Sequence, residues 1–114
     1  MPNNDMPPSH ADPFRNITVD DLTKITRPRI IDVREPAEFT GELGHIPGAE
    51  LVPLATLENA ARAWPKDKEL VIVCRSGARS AKAATLLAQL GFQKLLNLSG
   101  GTQGYVDAGL PVER

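Results

Sequence analysis

The stretch LVIVCRSGARS, residues 70–80, decides the fold that this sequence predicts. Its first part, Leu70–Val73, is a continuous apolar run rich in β-branched residues, which is typical of a strand buried on both faces of a sheet. A loop of small residues follows, and apolar residues then recur at i, i+3, i+4 and i+7 between residues 83 and 90. The pattern predicts a buried strand, a short loop and a helix over residues 80–90, which Gly91 ends.

The rest of the chain alternates between the same two kinds of segment. Further strands are predicted over residues 29–33, 50–52 and 95–98. Further helices are predicted over residues 19–24, 54–64 and 102–108, with a short one that starts at residues 35–36. Strands that alternate with helices indicate an α/β fold with a mostly parallel sheet covered by helices on both faces. In such sheets ligands bind beyond the carboxyl ends of the strands, which directs attention to the loop after Val73.

Length and composition indicate one globular domain without a strong overall charge. The chain has 114 residues, of which 41% are hydrophobic and 24% charged, and this length suits one core rather than two. The 13 basic and 14 acidic residues give a net charge of -1. Such a balance provides no field that would gather nucleic acid or an anionic membrane surface. No stretch is long and apolar enough to span a bilayer.

The first 13 residues differ in composition from the rest of the chain. They are polar and include four prolines, which predicts a flexible tail over residues 1–13 and a folded domain over residues 14–114. They lack the basic start and the apolar run of a secretory signal, so we expect a cytoplasmic protein.

Cys74 is the only cysteine, and its placement makes it the first candidate for chemistry. A lone cysteine is more often a small buried hydrophobic residue than a nucleophile. Cys74, however, comes directly after the carboxyl end of the buried strand, where we expect its side chain to be exposed to a ligand. Gly77 tolerates a positive φ, so successive N–H groups of the loop can form a nest for an anion.

The charges around Cys74 favour a thiolate over a thiol. Arg75 and Arg79 flank the cysteine with permanent positive charge. The helix that follows directs its N-terminal N–H groups and the positive end of its dipole towards the same loop. Such surroundings lower the pKa of a cysteine from about 8.5 to roughly 3.5–7.5. The sequence therefore predicts a thiolate nucleophile suited to sulfur or phosphoryl transfer.

Residues 74–80, CRSGARS, resemble the active-site loop of rhodanese-type sulfurtransferases. Three further segments resemble the same family in the same order and spacing: IDVRE at 31–35, GHIPGA at 44–49, and the stretch from Gly91 to Val112 with its GG and AGLPV motifs. The resemblance covers residues 17–112. It implies a rhodanese-like domain over residues 14–114, with a three-layer fold and a central five-stranded parallel sheet between helices.

The resemblance also implies a reaction in two displacements. Cys74 would take the outer sulfur of thiosulfate or a similar small anionic donor, and the persulfide would pass it to cyanide, a thiol or another thiophilic acceptor. No metal or organic cofactor is implied. Substrate-binding roles fall on the loop residues Arg75, Ser76, Gly77, Ala78, Arg79 and Ser80. Arg34 is a further candidate on a separate ground, because the exit of its strand is expected to lie beside the loop. We expect a monomer without nucleic-acid or membrane partners, served at most by a sulfur-donor or sulfur-acceptor protein.

Several residues have competing interpretations. Arg34 could steer the donor if it is exposed beside the anion site, whereas Asp32 is expected to form a structural ion pair or hydrogen bond. His45 is expected to be a structural hydrogen-bonding residue rather than a base. Tyr105 and Thr102 replace a tryptophan and an aliphatic residue that are usual in the family, which we interpret as packing changes.

Two other functions remain open. Cysteine-dependent phosphatases need an arginine six positions after the nucleophile, but here Arg79 is five positions after it, and the shorter loop suits a smaller target. A sulfur carrier that accepts persulfide sulfur from a protein, without turnover of its own, would need the same loop. Sequence alone discriminates poorly between that carrier and an enzyme.

Overall fold

The computed structural model describes residues 13–114, and most of the predicted tail lies outside the described residues. Strands and helices alternate along this part of the chain. The strands are β1 (Arg15–Ile17), β2 (Ile30–Asp32), β3 (Glu50–Leu51), β4 (Leu70–Val73) and β5 (Leu95–Leu98). The helices are α1 (Val19–Thr23), α2 (Pro36–Phe39), α3 (Leu54–Ala61), α4 (Ala78–Gln89) and α5 (Gly101–Asp107).

The five strands form one parallel sheet in the order β1-β5-β4-β2-β3. β4 is the central strand, and all four of its residues are buried. Its last residue, Val73, is in register with Asp32, the last residue of β2. The carboxyl ends of these two strands therefore meet at one edge of the sheet, as parallel pairing requires. The predicted α/β fold with a five-stranded parallel sheet is confirmed.

Residues of β4 alternate between two apolar cores, one on each face of the sheet. Leu70 and Ile72 pack with α3 and α4, whereas Val71 and Val73 pack with α1 and α5. The contributions of the four helices to these cores are Leu57 and Ala61 from α3, Ala83, Ala84 and Leu87 from α4, Leu22 from α1 and Tyr105 from α5. Because both faces are covered, the sheet has the three-layer arrangement that the sequence predicts.

Local sequence signals explain where several helices begin. The side chain of Thr18 accepts a hydrogen bond from the backbone N–H of Asp21, and the Asp21 carboxylate accepts one from the N–H of Thr18, which is a capping box at the start of α1. Pro36 occupies the first turn of α2, where its missing N–H costs nothing. α4 begins at Ala78, two residues earlier than predicted, because Gly77 caps the helix with a φ of 107°.

The strand that the sequence analysis did not identify is β1. It has three residues, of which only Ile17 is buried, and it pairs on one side only, with β5. One inward-facing apolar residue gives no alternation to detect. The helix predicted over residues 54–64 is also shorter in the structure, where α3 ends at Ala61.

Among the helices of residues 13–114, none is both long and apolar enough to cross a membrane.

Candidate active site

Cys74 lies directly after β4, at the carboxyl edge of the sheet. The expectation that its side chain is exposed is wrong, because only 1% of the residue is accessible. Strand alternation explains this burial: Val73 faces the core on the side of α1 and α5, so Cys74 faces the opposite core, beneath the start of α4. A reagent must therefore approach the sulfur through the loop rather than across an open surface.

The loop after Cys74 directs backbone N–H groups at the sulfur. The N–H of Gly77 donates to Sγ over 3.1 Å. Gly77 itself has a φ of 107°, and a Cβ at this position would clash with the carbonyl oxygen of Ser99. Glycine is needed here on both counts, because a side chain would strain the backbone and push the loop away from the strand β5. The predicted role of Gly77 in allowing a positive φ is confirmed.

The carbonyl oxygens of the loop are bound on the other side, by the first turn of α5. The N–H of Thr102 donates to the carbonyl oxygen of Cys74 over 2.9 Å, and the N–H of Gln103 donates to that of Arg75 over 3.0 Å. The Thr102 hydroxyl donates a second hydrogen bond to the carbonyl oxygen of Cys74, over 3.2 Å. Gly101 has no room for a Cβ against the same two carbonyl groups. This contact turns the loop carbonyls away from the sulfur, so that the N–H groups remain beside it.

The pKa of the Cys74 thiol is lowered from its usual value. Burial, the largest single influence, raises the pKa, because it disfavours the charged thiolate. The effect of burial is outweighed by several hydrogen bonds that lower the pKa together. They come from the Ser80 hydroxyl and from the backbone N–H groups of Ser80, Gly77 and Ser76. The fold therefore favours the thiolate through hydrogen bonds rather than through exposure to water.

The Ser80 hydroxyl also belongs to a buried polar network that the sequence analysis missed. Its Oγ lies within hydrogen-bond distance of Asn97 Oδ1 and of the carbonyl oxygen of Gly77. The Nδ2 of Asn97 donates to Oδ1 of Asn16 over 2.9 Å. The Ser80 hydroxyl has one proton, so Asn97 Oδ1 and the carbonyl oxygen of Gly77 compete with the Cys74 sulfur for it. A polar residue inside the apolar strand LLNL is the signal that could have identified Asn97.

Replacing Ser80 with alanine should move the reactivity of Cys74 to higher pH. The variant lacks the hydroxyl hydrogen bond that stabilises the thiolate, so the pKa of Cys74 rises, and less thiolate is present at any pH below that pKa. The pH at which the rate of alkylation by iodoacetamide is half-maximal measures this shift. Ser76→Ala is the matched control, because Ser76 acts through its backbone N–H. An unchanged midpoint in Ser80→Ala would show that the hydroxyl has no such effect.

Arg79 lies in the first turn of α4 and pairs with Glu38 of α2. Its two terminal nitrogens donate to the two carboxylate oxygens of Glu38, over 2.7 and 2.8 Å. The hydrogen bonds from Arg79 lower the pKa of Glu38 to about 2, and those with Glu38 raise the pKa of Arg79. The Cys74 thiolate adds a smaller attraction on Arg79. The ion pair therefore persists throughout the neutral range, beside the loop.

Arg34 does not meet the condition on which its role in steering the donor depended, because it is not exposed. Arg34 is 1% accessible and forms a buried ion pair with Asp32, which is fully buried. Its guanidinium also donates to the carbonyl oxygens of Glu38, over 3.3 Å, and of Gly44, over 2.8 Å. Burial follows from position: Asp32 and Arg34 are two residues apart at the end of β2, so both side chains point to the same face. Arg34 thus joins the exit of β2 to α2 and to the turn at Gly44.

The remaining predictions concern residues that are expected to have structural roles. Asp32 forms the structural ion pair expected of it. His45 is a structural residue as predicted, with Nδ1 at 2.7 Å from the carbonyl oxygen of Phe39 and the two rings stacked. Tyr105 packs in the core on the side of α1. Thr102 does more than pack, because it binds the carbonyl group of Cys74.

Of the predicted substrate-binding residues, the structure brings the loop together, leaves three of its residues exposed and leaves the side chain of Arg79 39% exposed. Arg75, Ser76 and Ala78 are exposed. A small cleft lies between the loop and α2, and Arg75 and Glu38 are among the residues that line it. The cleft therefore places one exposed arginine of the loop, Arg75, beside the carboxylate of Glu38.

The structure thus defines a parallel α/β protein in which a cysteine with a lowered pKa follows the central strand, at the edge of the sheet where such folds bind ligands. Residues 18–108 match the family model of the rhodanese-like domain, and the chain belongs to this family.

Individual relatives agree with this assignment. The chain is 41% identical over 83 residues to a sulfurtransferase of Allochromatium vinosum, a match that covers 73% of this chain and 76% of that protein. It is 33% identical over 72 residues to the thiosulfate sulfurtransferase GlpE of Pseudoalteromonas translucida, covering 63% of this chain and 67% of the relative. The chain spans only 38% to 56% of the length of four other curated relatives.

The solved structures agree with the fold. The crystal structure of a rhodanese-like domain protein from Staphylococcus aureus is similar with a TM-score of 0.75 and 31% identity, covering 89% of this chain and all of that one. Family membership and the names of the relatives support sulfur transfer as the general class of function.

Proposed function

We propose that this chain is a thiosulfate sulfurtransferase that carries sulfane sulfur as a persulfide on Cys74. The observation that carries the proposal is the hydrogen bond from the N–H of Gly77 to the Cys74 sulfur, in a loop whose N–H groups face that atom. A site that stabilises negative charge on sulfur favours the thiolate before the reaction and the persulfide anion after it.

The reaction proceeds by two displacements at sulfur. The Cys74 thiolate attacks the outer sulfur of thiosulfate, and the sulfur–sulfur bond of the donor breaks, with its electron pair leaving on sulfite. Cyanide or a thiolate then attacks the outer sulfur of the persulfide, and the Cys74 thiolate is regenerated. Neither step needs an external oxidant or reductant, because the sulfane sulfur changes partners without a net change in electrons.

The loop and its neighbours take distinct parts in this mechanism. The N–H groups of Ser76, Gly77 and Ser80 and the Ser80 hydroxyl stabilise charge on the sulfur. The arginines Arg75 and Arg79 attract the anionic donor into the cleft beside α2. Ala78 begins α4 with a small side chain, which leaves the approach to the loop open. Residues 14–114 form the domain that we propose to be sufficient for this activity.

Intact mass measures the first displacement directly. The protein is incubated with thiosulfate, freed of excess donor and weighed. The expected result is a gain of one sulfur atom, which disappears when cyanide is added and appears as thiocyanate. A protein that gains no sulfur from thiosulfate at any concentration is not the enzyme that we propose.

The burial of Cys74 favours a second candidate function, a sulfur carrier that is loaded by a protein partner. A cysteine residue that is 1% accessible offers little surface to free small molecules, whereas a docked protein can deliver a persulfide through one specific approach. Turnover with thiosulfate and cyanide distinguishes the two functions. Very slow turnover combined with fast loading from a cysteine desulfurase would favour the carrier.

A further inference from the structure

Arg79 already has an anionic partner inside the molecule. Its two terminal nitrogens bind both oxygens of the Glu38 carboxylate, over 2.7 and 2.8 Å. This planar, two-pronged geometry is the one with which arginine binds free oxyanions. The carboxylate of Glu38 therefore occupies the edge of Arg79 that an anionic sulfur donor needs.

Glu38 is placed for this contact by its own helix. Its Oε1 also accepts a hydrogen bond from the N–H of Glu35, over 3.0 Å, and its backbone carbonyl accepts one from Arg34. These contacts fix the first turn of α2 opposite the first turn of α4. The carboxylate therefore returns to the same position whenever Arg79 is free.

The ion pair between Arg79 and Glu38 is partly exposed to solvent, so it can open. The side chain of Arg79 is 39% exposed and that of Glu38 is 31% exposed. Water can therefore hydrate a displaced carboxylate, and an incoming anion can reach the guanidinium. A buried pair could not open in this way, since an unpaired buried charge is far more costly.

We propose that Glu38 competes with the anionic sulfur donor for Arg79, and thereby sets the affinity of the site for anions and the release of the anionic product. The inference rests on the proposed function. A thiosulfate that binds Arg79 displaces the Glu38 carboxylate towards solvent. After the sulfur has passed to Cys74, the carboxylate pairs with Arg79 again and displaces sulfite.

Competition of this kind affects every oxyanion that binds Arg79. An oxyanion that cannot react, such as sulfate or phosphate, must displace Glu38 just as the donor must. The affinity of the site is therefore lowered for donor, product and non-reacting anions alike. Glu38 in this way sets the strength of anion binding and is not a catalytic residue.

The test uses a pair of reagents that differ in charge. Cys74 is the only cysteine in the chain, so alkylation reports on this site alone. Iodoacetate and iodoacetamide carry the same leaving group and are of similar size, but only iodoacetate is an anion. Both react with the thiolate, so the ratio of their rates is independent of the thiolate fraction.

Glu38→Gln keeps the size of the side chain and an oxygen for the N–H of Glu35, but removes the charge. We expect the ratio of the iodoacetate rate to the iodoacetamide rate to rise about fivefold, the scale of a partly exposed ion pair. Glu42→Gln is the matched control: Glu42 lines the same cleft and loses the same charge, and the ratio should not change. In an Arg79→Ala background, Glu38→Gln should also leave the ratio unchanged.

Thiosulfate kinetics give a second readout. Glu38→Gln should lower the KM for thiosulfate about fivefold, with a smaller change in kcat, and should strengthen inhibition by added sulfite. A purely structural role for Glu38 would instead lower the melting temperature and leave both the rate ratio and the sulfite inhibition unchanged.

Three outcomes would overturn the inference: an unchanged ratio in Glu38→Gln, an equal rise in Glu42→Gln, or a rise that persists without Arg79. The proposed function is refuted by a different result from those that refute the role of Glu38. If the wild-type protein gains no sulfur from thiosulfate, the proposed enzyme is wrong, while a fivefold rise in the alkylation ratio would still establish Glu38 as a competitor of anions.

Discussion

Cys74→Ser should reduce sulfur loading from thiosulfate at least a thousandfold, to a level that mass measurement does not detect. Serine is close in size to cysteine, but its hydroxyl is not ionised near neutral pH and cannot form a persulfide. The chain has no second cysteine to substitute for it. The loss is therefore expected to be complete rather than partial.

The measurement compares the intact masses of the wild type and of Cys74→Ser after the same exposure to thiosulfate. The melting temperature of the variant is the control, because a folded protein without loading separates chemistry from stability. If Cys74→Ser gained sulfur to the same extent as the wild type, the persulfide would have to be elsewhere and the proposed mechanism would be wrong.

Arg34→Met should cost about 3–5 kcal/mol of the free energy of unfolding, as expected when one partner of a buried ion pair is removed. Methionine fills much of the volume, so the cost arises mainly from the charge of Asp32, which is fully buried and has lost its partner. The hydrogen bonds to Gly44 and to the first turn of α2 are lost as well. Urea unfolding followed by circular dichroism measures the change.

Two variants accompany Arg34→Met. Arg34→Lys keeps the charge but loses the two-pronged contact, so an intermediate loss is expected. Arg62→Met removes an exposed arginine that pairs with Glu58 across one turn of helix, and a change below about 1 kcal/mol is expected there. If Arg34→Met were as stable as the wild type but had a raised KM for thiosulfate, Arg34 would bind the donor, and its structural role would be refuted.

The strand-loop-helix around Cys74 could be predicted from sequence because each of its parts has a local cause. The run LVIV has the composition of a strand buried on both faces, and Gly77 permits the turn that no other residue allows without strain. The family resemblance supplied the count of five strands. The residue patterns without the resemblance indicated only four strands, because β1 buries a single side chain.

The contacts that the sequence did not predict are those between segments far apart in the chain. Arg79 and Glu38 are 41 positions apart, and nothing in either local pattern indicates the other. Arg34 lies only two positions from its partner Asp32, but its acceptor at Gly44 is ten positions away and meets it only in the folded chain. The exposure of Cys74 was predicted from the end of the strand, but the covering by α4 depends on packing.

The hydrogen bonds between α5 and the loop carbonyls make the shape of the sulfur site depend on the C-terminal third of the chain. Thr102 and Gln103 lie 28 residues after the groups that they bind, so the backbone of the loop is held by residues remote from it in sequence. A chain that ended before α5 would lack these three hydrogen bonds to the carbonyl groups of Cys74 and Arg75. The surroundings of the cysteine are therefore a property of the whole domain rather than of its seven-residue loop alone.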